Sequence, residues 1–262
     1  MAAHNTPNDM QLAKDAKRLA ALLQPGKNVV FFGGAGVSTE SGIPDFRSEA
    51  GLYAAKSVYG YPPEDLLSDW MLAEHPELFW QYTKENLIHL DAQPNAAHKE
   101  LAELEKRGIV TAVITQNIDD LHQQAGSRNV LELHGSLARN YCMKCFAKYP
   151  LSYVMDKANC PDGAIPICNV PSCGGMIRPD VVLYGEPLDE SVMHAAAIAI
   201  ANADVLIVAG TSLAVYPAAG LIRYFKGDDL VLINKSETPL DNHADLVIHQ
   251  PVGEVLARAL AS

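Results

Sequence analysis

The chain has no long hydrophobic run. Its most apolar stretch, residues 195–209, is broken by Asn202 and Asp204. It falls short of the ~20 unbroken apolar residues that cross a bilayer as a helix. The opening residues 1–11 are polar and hold no apolar signal-peptide core. The expectation is a cytoplasmic protein with no membrane partner. Basic charge is scarce: 20 Lys and Arg stand against 31 Asp and Glu, a net charge of −11. An acidic surface cannot displace counterions from nucleic acid, so no direct nucleic-acid partner is expected. That charge suits a cationic small molecule or a lysine-rich peptide, and equally serves solubility alone. Compositional bias is absent too. With 18 Gly and 16 Pro in 262 residues the chain is neither collagen-like nor low-complexity. At 48% hydrophobic and 19% charged it is not a disordered chain. There is no internal repeat. No G-x-G-x-x-G and no Walker lysine follow its glycine-rich segment.

What is present alternates. Residues 28–32, 109–115, 204–209, 230–234 and 245–249 are short, apolar and β-branched. Such runs suit strands buried on both faces of a parallel sheet. Helical patterns lie between them at 9–23, 95–106, 188–201, 217–225 and 252–261. Asn95 is placed to cap its helix and Gly108 to stop it. The alternation predicts an open α/β sheet in one large domain with a smaller insert. Two segments interrupt it. Residues 42–93 carry helical pieces at 64–73 and 77–90. Residues 135–180 hold all five cysteines and little periodicity. Together they predict a second, smaller module.

Several strand ends carry polar residues. Phe32-Gly33-Gly34-Ala35-Gly36-Val37-Ser38-Thr39 follows the first strand. Glycines there let backbone approach a phosphate, or simply make a tight strand-to-helix turn. In Asp45-Phe46-Arg47 an arginine for a phosphate and an aromatic for a flat ring sit beside that loop; an ordinary loop reads the same way. Gln116, Asn117, Ile118 and Asp119 lie past the carboxyl end of a buried strand, where open α/β sheets place ligands. Their amides and carboxylate suit a carboxamide ring and ribose hydroxyls, while Asp119 or Asp120 also suits a helix cap. His134 closes a short alternating strand at residues 131–134. It is either structural or a general base working near neutral pH. Gly210-Thr211-Ser212 and Asn234-Lys235 end two further strands, with phosphate or ribose contacts and plain caps both open.

Four of the five cysteines pair up. Cys142-x2-Cys145 is followed after 22 residues by Cys168-x4-Cys173. Two pairs on turn-forming segments supply four thiolates for one tetrahedral zinc ion, the alternative being free thiols. A site closed by four thiolates has no open position and is structural. Cys160 is left over, either in the loop or in place of one of these ligands.

Taken together, and in this order, these motifs resemble the sirtuin family of NAD-dependent protein deacylases. The resemblance rests on Gly34–Ser38, Gly42–Arg47, Thr115–Asp119, Leu133–Gly135, the paired cysteines, Arg178–Glu186 and Gly210–Leu213, and spans about residues 10–260. It implies a Rossmann-like open parallel sheet formed by 1–41, 94–134 and 181–262. A helical insert (42–93) and a zinc-ribbon insert (135–180) would form the small domain, with NAD in the cleft between the two. It implies NAD contacts from Gly34, Ala35, Gly36, Thr39, Asp45, Phe46, Arg47, Gln116, Asn117, Ile118, Asp119, His134, Gly210, Thr211, Ser212, Asn234, Lys235 and Val252. His134 would be the catalytic base and Asn117 its catalytic companion. Zinc would sit on Cys142, Cys145, Cys168 and Cys173. An acetyl-lysine peptide would insert as an added strand against Val182, Leu183, Tyr184, Gly185 and Glu186 on one side and Leu213 and Val215 on the other.

The implied chemistry passes the acetyl group from lysine to ADP-ribose and releases nicotinamide. The amide oxygen would attack the ribose carbon, and His134 would take a proton from a ribose hydroxyl. Relatives that prefer acidic acyl groups carry Tyr and Arg three residues apart. Thr83 and Asn86 take those places here, so neutral acyl chains are expected. The rival readings are a mono-ADP-ribosyltransferase using the same NAD site and a non-enzymatic zinc-ribbon module. A hydride-transferring dehydrogenase is disfavoured by the missing G-x-G-x-x-G.

Overall fold

A computed structural model describes residues 7–44, 56–161 and 163–261. The large sheet has six strands: β1 (Val29–Gly33), β2 (Val110–Thr115), β3 (Val130–Glu132), β7 (Val205–Ala209), β8 (Asp229–Ile233) and β9 (Leu246–Ile248). Their order is β3-β2-β1-β7-β8-β9, and every adjacent pair is parallel. The chain builds outward from β1 in one direction, then returns and builds outward from β7 in the other. β1 and β7 therefore flank the topological switch point.

Burial explains the apolar runs. β1 and β7 are buried at every position. Val29 and Phe31 face one core with helices Pro7–Leu22, Ala96–Lys106 and Val252–Leu260. Val30 and Phe32 face the other, with Glu190–Ala201 and the turn at 218–224. Asn95 caps its helix as expected. Its side chain accepts from the Ala97 amide, and His98 accepts in return from the Asn95 amide. Gly108 follows the helix at φ +71°.

A second sheet of three antiparallel strands, β5 (Lys148–Pro150), β4 (Gly135–Cys142) and β6 (Ile177–Val181), stands apart. It shares one core with the helical insert. Leu66, Met71, Phe79 and Trp80 pack with Cys142, Tyr149 and Ile177, and the Trp80 indole donates to the Ile177 carbonyl at 3.2 Å. The two chain interruptions thus bury one another's apolar faces.

Local boundaries differ from expectation in four places. Helix 64–73 is two pieces, Pro63–Leu66 and Asp69–Glu74. Ser68 restarts it by accepting from the Met71 amide, and a capping hydroxyl competes with helix continuation. Helix 77–90 is Pro76–Tyr82 followed by a π turn, Thr83–Leu87. Segment 217–225 is a 3-10 helix, Ala218–Tyr224. Strand 131–134 ends at Glu132, so His134 lies on the connection to β4.

Candidate active site and metal centre

The loops after β1 and β7 touch. The Gly36 amide donates to the Gly210 carbonyl at 2.8 Å, and the Gly34 amide to the Ala209 carbonyl at 3.1 Å. A Cβ on Gly36 would lie 2.7 Å from the Gly210 Cα, and one on Gly34 2.8 Å from the Thr211 Cβ. The glycines are required first by this loop-on-loop contact.

A cleft of about 530 Å³ lies nearby, lined by Ala35 and Ser38 of the first of these loops. Ala35, Gln116, Asn117, Ile118, Asp119 and His134 line one side. Val182, Leu183, Tyr184, Gly185, Glu186 and Val215 line the other. Asn117 donates to the Gly34 carbonyl and to the Ser38 hydroxyl, both at 3.1 Å. Ser38 in turn donates to Asp119 at 2.6 Å. The second Asp119 oxygen accepts from the Leu121 amide at 3.0 Å, so Asp119 performs the helix-capping contact. Asp120 sits at the cap position in left-handed backbone and makes no cap hydrogen bond. Burial, then the nearby Glu132 charge, pushes its carboxyl up.

His134 is half-buried. Its Nδ1 lies 2.8 Å from the Gln116 carbonyl oxygen. A carbonyl only accepts, so Nδ1 carries a proton, and in the neutral ring Nε2 is the nitrogen with the lone pair. Gln116 is buried, with its side chain donating to the Thr211 hydroxyl at 3.1 Å. The Thr211 hydroxyl also receives the Leu213 amide. Gln116 thus joins the β2 and β7 ends while its backbone orients the imidazole.

Glu186 has a structural task. Arg178 grips its two oxygens at 2.6 and 2.9 Å, and the Leu183 amide donates to it at 2.9 Å. Burial raises its pKa, but the Arg178 hydrogen bonds and the Leu183 amide outweigh that and hold the carboxyl below its ordinary range. The Tyr184 backbone pairs with the insert, donating to the Leu67 carbonyl and accepting from the Asp69 amide, each at 3.0 Å.

Other expected contacts lie outside the cleft lining. Thr39 donates to the Gly36 carbonyl at 3.0 Å. Leu213 sits in the second core at φ +58°. Ser212 and Lys235 are exposed. Asn234 donates to the Ser236 carbonyl at 2.7 Å. Val252 is buried in the first core, and the neighbouring Gly253 amide is taken by Glu40 at 2.7 Å. Asp45, Phe46 and Arg47 lie outside the described residues. Sequence reasoning gave no role to Ser38, Phe79, Leu87 and Tyr216, which also line the cleft. Only Ser38 carried a signal, its place in the glycine-rich segment.

The sulfurs of Cys142, Cys145, Cys168 and Cys173 all lie within 4.8 Å of one another. Cys142 and Cys173 are 3.6 Å apart, as are Cys145 and Cys168. Four thiolates at zinc bonding distance on a tetrahedron stand ~3.8 Å apart, so the set fits a structural zinc ion. The Lys144 and Cys145 amides point at the Cys142 sulfur, and a Cβ on Gly175 would lie 2.8 Å from that sulfur. Cys160 is not among the four.

A cleft at the switch point of a parallel sheet is where open α/β proteins bind nucleotides, and a closed thiolate cluster beside it is structural. By class the chain is a nucleotide-using α/β protein stabilised by zinc. Residues 34–217 match the Sir2 family. The chain is 54% identical to an NAD-dependent protein deacetylase of Clostridium acetobutylicum, over 94% of this chain and 98% of that one. It is 51% identical to one of Cutibacterium acnes, over 92% and 96%. Among solved structures it is similar to a Sir2 complex with a p53 peptide and NAD+, with a TM-score of 0.81 and 38% identity over 94% of this chain and 97% of that one. The chain belongs to the Sir2 family. Among its described residues no helix is long and apolar enough to cross a membrane.

Proposed function

We infer that this chain is an NAD-dependent protein-lysine deacetylase that transfers the acetyl group from lysine to ADP-ribose and releases nicotinamide. The observation that carries this reading is the imidazole of His134. It is fixed by the Gln116 carbonyl at 2.8 Å so that Nε2 is the basic nitrogen of the neutral ring, in a cleft shared with Asn117 and Asp119. A binding module needs no oriented base.

NAD supplies the ribose carbon that loses nicotinamide and the hydroxyl that accepts the acetyl group. His134 accepts the proton of that hydroxyl at Nε2. Asn117 and Asp119, locked through Ser38, hold the carboxamide and ribose end. The deep, largely apolar cleft excludes water and limits simple hydrolysis of NAD. The Gly34–Gly36 loop, Thr211, Ser212, Asn234 and the Val252 backbone face the remaining nucleotide; Asp45, Phe46 and Arg47 belong to the same proposal. The acetyl-lysine peptide pairs between the 182–186 segment and Val215. Glu186 contributes there in part by bracing Leu183. Thr83 and Leu87 close the acyl end beside Asn86, with no Lys or Arg among the described residues that line the cleft, so acetyl is preferred over succinyl. The cell compartment is proposed to be the cytoplasm.

The test is mass spectrometry of an acetyl-lysine peptide with and without NAD. Loss of acetyl only with NAD, with acetyl-ADP-ribose formed and His134→Ala inactive, is the expected outcome. ADP-ribose attached to protein while acetyl stays in place overturns it in favour of a transferase.

A further inference from the structure

Lys84 and Cys160 take no part in the cleft chemistry or the metal cluster. They are 76 residues apart in sequence, and the fold brings the Lys84 Nζ to 3.2 Å from the Cys160 sulfur. The same ammonium donates to the Ala164 carbonyl at 2.8 Å and stands 5.6 Å from the centre of the Trp80 ring. Among the described residues no carboxylate pairs with it. A partly buried lysine ordinarily seeks a carboxylate, because its charge is costly to desolvate. Here a sulfur, a carbonyl and an aromatic face take that place.

Cys160 is only 4% exposed. Its sulfur otherwise meets the Val154 and Asp156 carbonyls, at 3.7 and 3.6 Å. It is thus held against one amine. The N···S separation suits a single atom inserted between the two. A direct S–N bond would require the backbones to close further.

We propose that Lys84 and Cys160 form a reversible oxidation site, in which peroxide joins them through one bridging oxygen, S–O–N. The thiol and the ammonium react with two molecules of hydrogen peroxide, giving the bridge, three waters and one proton. The S–H bond and one N–H bond of the amine are lost, and S–O and O–N bonds form. One peroxide takes an electron pair from sulfur, as in ordinary sulfenic acid formation. The other takes a pair from nitrogen. Three of the four peroxide oxygens leave as water and the fourth is the bridge. Two molecules of a dithiol reductant cleave it, returning the amine and the thiol, with the bridging oxygen leaving as one water and two cyclic disulfides formed from the reductant. The bridge ties the π turn to the loop of the metal module. Thr83 and Leu87, in the turn with Lys84, line the cleft, so the bridge also fixes part of the cleft wall.

The test treats the zinc-loaded protein with hydrogen peroxide and reads intact mass, then maps peptides. The expected result is a gain of about 14 Da, one oxygen in and two hydrogens out, mapping to a Lys84–Cys160 linked pair. Dithiothreitol reverses it, and both Cys160→Ser and Lys84→Arg abolish it. Lys84→Arg retains the positive charge, and its unchanged melting temperature would show that the fold is intact. Gains of about 16 or 32 Da on Cys160 alone, equal in wild type and Lys84→Arg, would overturn the proposal, since the lysine is then a bystander. No mass change at Cys160 would overturn it as well. None of these readouts depends on NAD or on deacetylation.

Discussion

The amide of Gly36 donates to the carbonyl of Gly210 at 2.8 Å, across the point where the sheet reverses its building direction. This contact joins the loops that follow β1 and β7. Gly210 holds φ +59°, and a Cβ there would lie 2.4 Å from the Val37 amide nitrogen. Gly210→Ala therefore meets both backbone strain and a clash with backbone that cannot rotate away. We expect a loss of about 2 kcal/mol or more in unfolding free energy, measured by urea denaturation. An unchanged midpoint would mean the two loops separate freely.

His134→Ala should lower kcat by about 10²–10⁴-fold, the usual contribution of a positioned base. His134→Asn removes the base while keeping a side chain of similar length. KM for NAD should change far less than kcat in both. A comparable rise in KM with kcat intact would make His134 a binding residue only.

Two buried histidines make stability depend on pH. His98 and His122 meet edge to face, 4.7 Å between ring centres. Burial lowers the pKa of His98 to about 4, against a small opposing effect of Asp119. Burial, then the His98 charge, lowers that of His122 to about 3. Both rings stay neutral in the fold, while the unfolded chain binds protons below about 6.5. Stability from this pair is thus complete above pH 6.5 and is lost as pH falls toward 4 and 3. Thermal midpoints at steps from pH 7 to pH 4.5 should fall, and His122→Leu should flatten that slope. An identical slope in the variant would remove the pair as its source.

Chelation should separate the two cores. The small sheet is short, and its core includes Cys142 and Cys168, whose sulfurs belong to the four-sulfur set. Removing zinc, or Cys145→Ala, should lower the melting temperature, release one zinc per chain and expose Trp80 to solvent, read by its fluorescence. Full retention of Trp80 burial after zinc release would show that the apolar core suffices.

Acyl preference can be read with matched peptides. With Thr83 and Leu87 in the cleft wall and no Lys or Arg among the described residues that line it, kcat/KM for succinyl-lysine should be at least about tenfold below that for acetyl-lysine, the cost of a poorly compensated carboxylate. Equal values would refute the neutral-pocket reading.

Strand runs, the capped helix after Asn95 and the cysteine pairs were legible because each is local. Burial on both faces leaves continuous apolar runs, a cap needs one side chain next to its helix, and zinc ligands sit on short turns. The break at Ser68 and the π turn at 83–87 were not legible. Tertiary partners, Tyr184 for the Asp69 amide and the Trp80 core for the turn, select among local geometries of nearly equal energy. Thr39, Leu213 and Val252 entered the site through motif position, yet the fold gives their side chains to loop or core.

The sequence by itself determined the alternation of strands and helices, the donor chemistry of four cysteines and which strand ends carry amides, a carboxylate and an imidazole. Those follow from residue type and short spacing. Only the tertiary structure decided that the Gln116 carbonyl fixes the His134 tautomer, that Ser38 links Asn117 to Asp119, and that Glu186 serves Arg178. It also decided that Lys84 meets Cys160. Such contacts join residues up to 81 positions apart. They depend on sheet order and on how two inserts close one core, which no local pattern encodes.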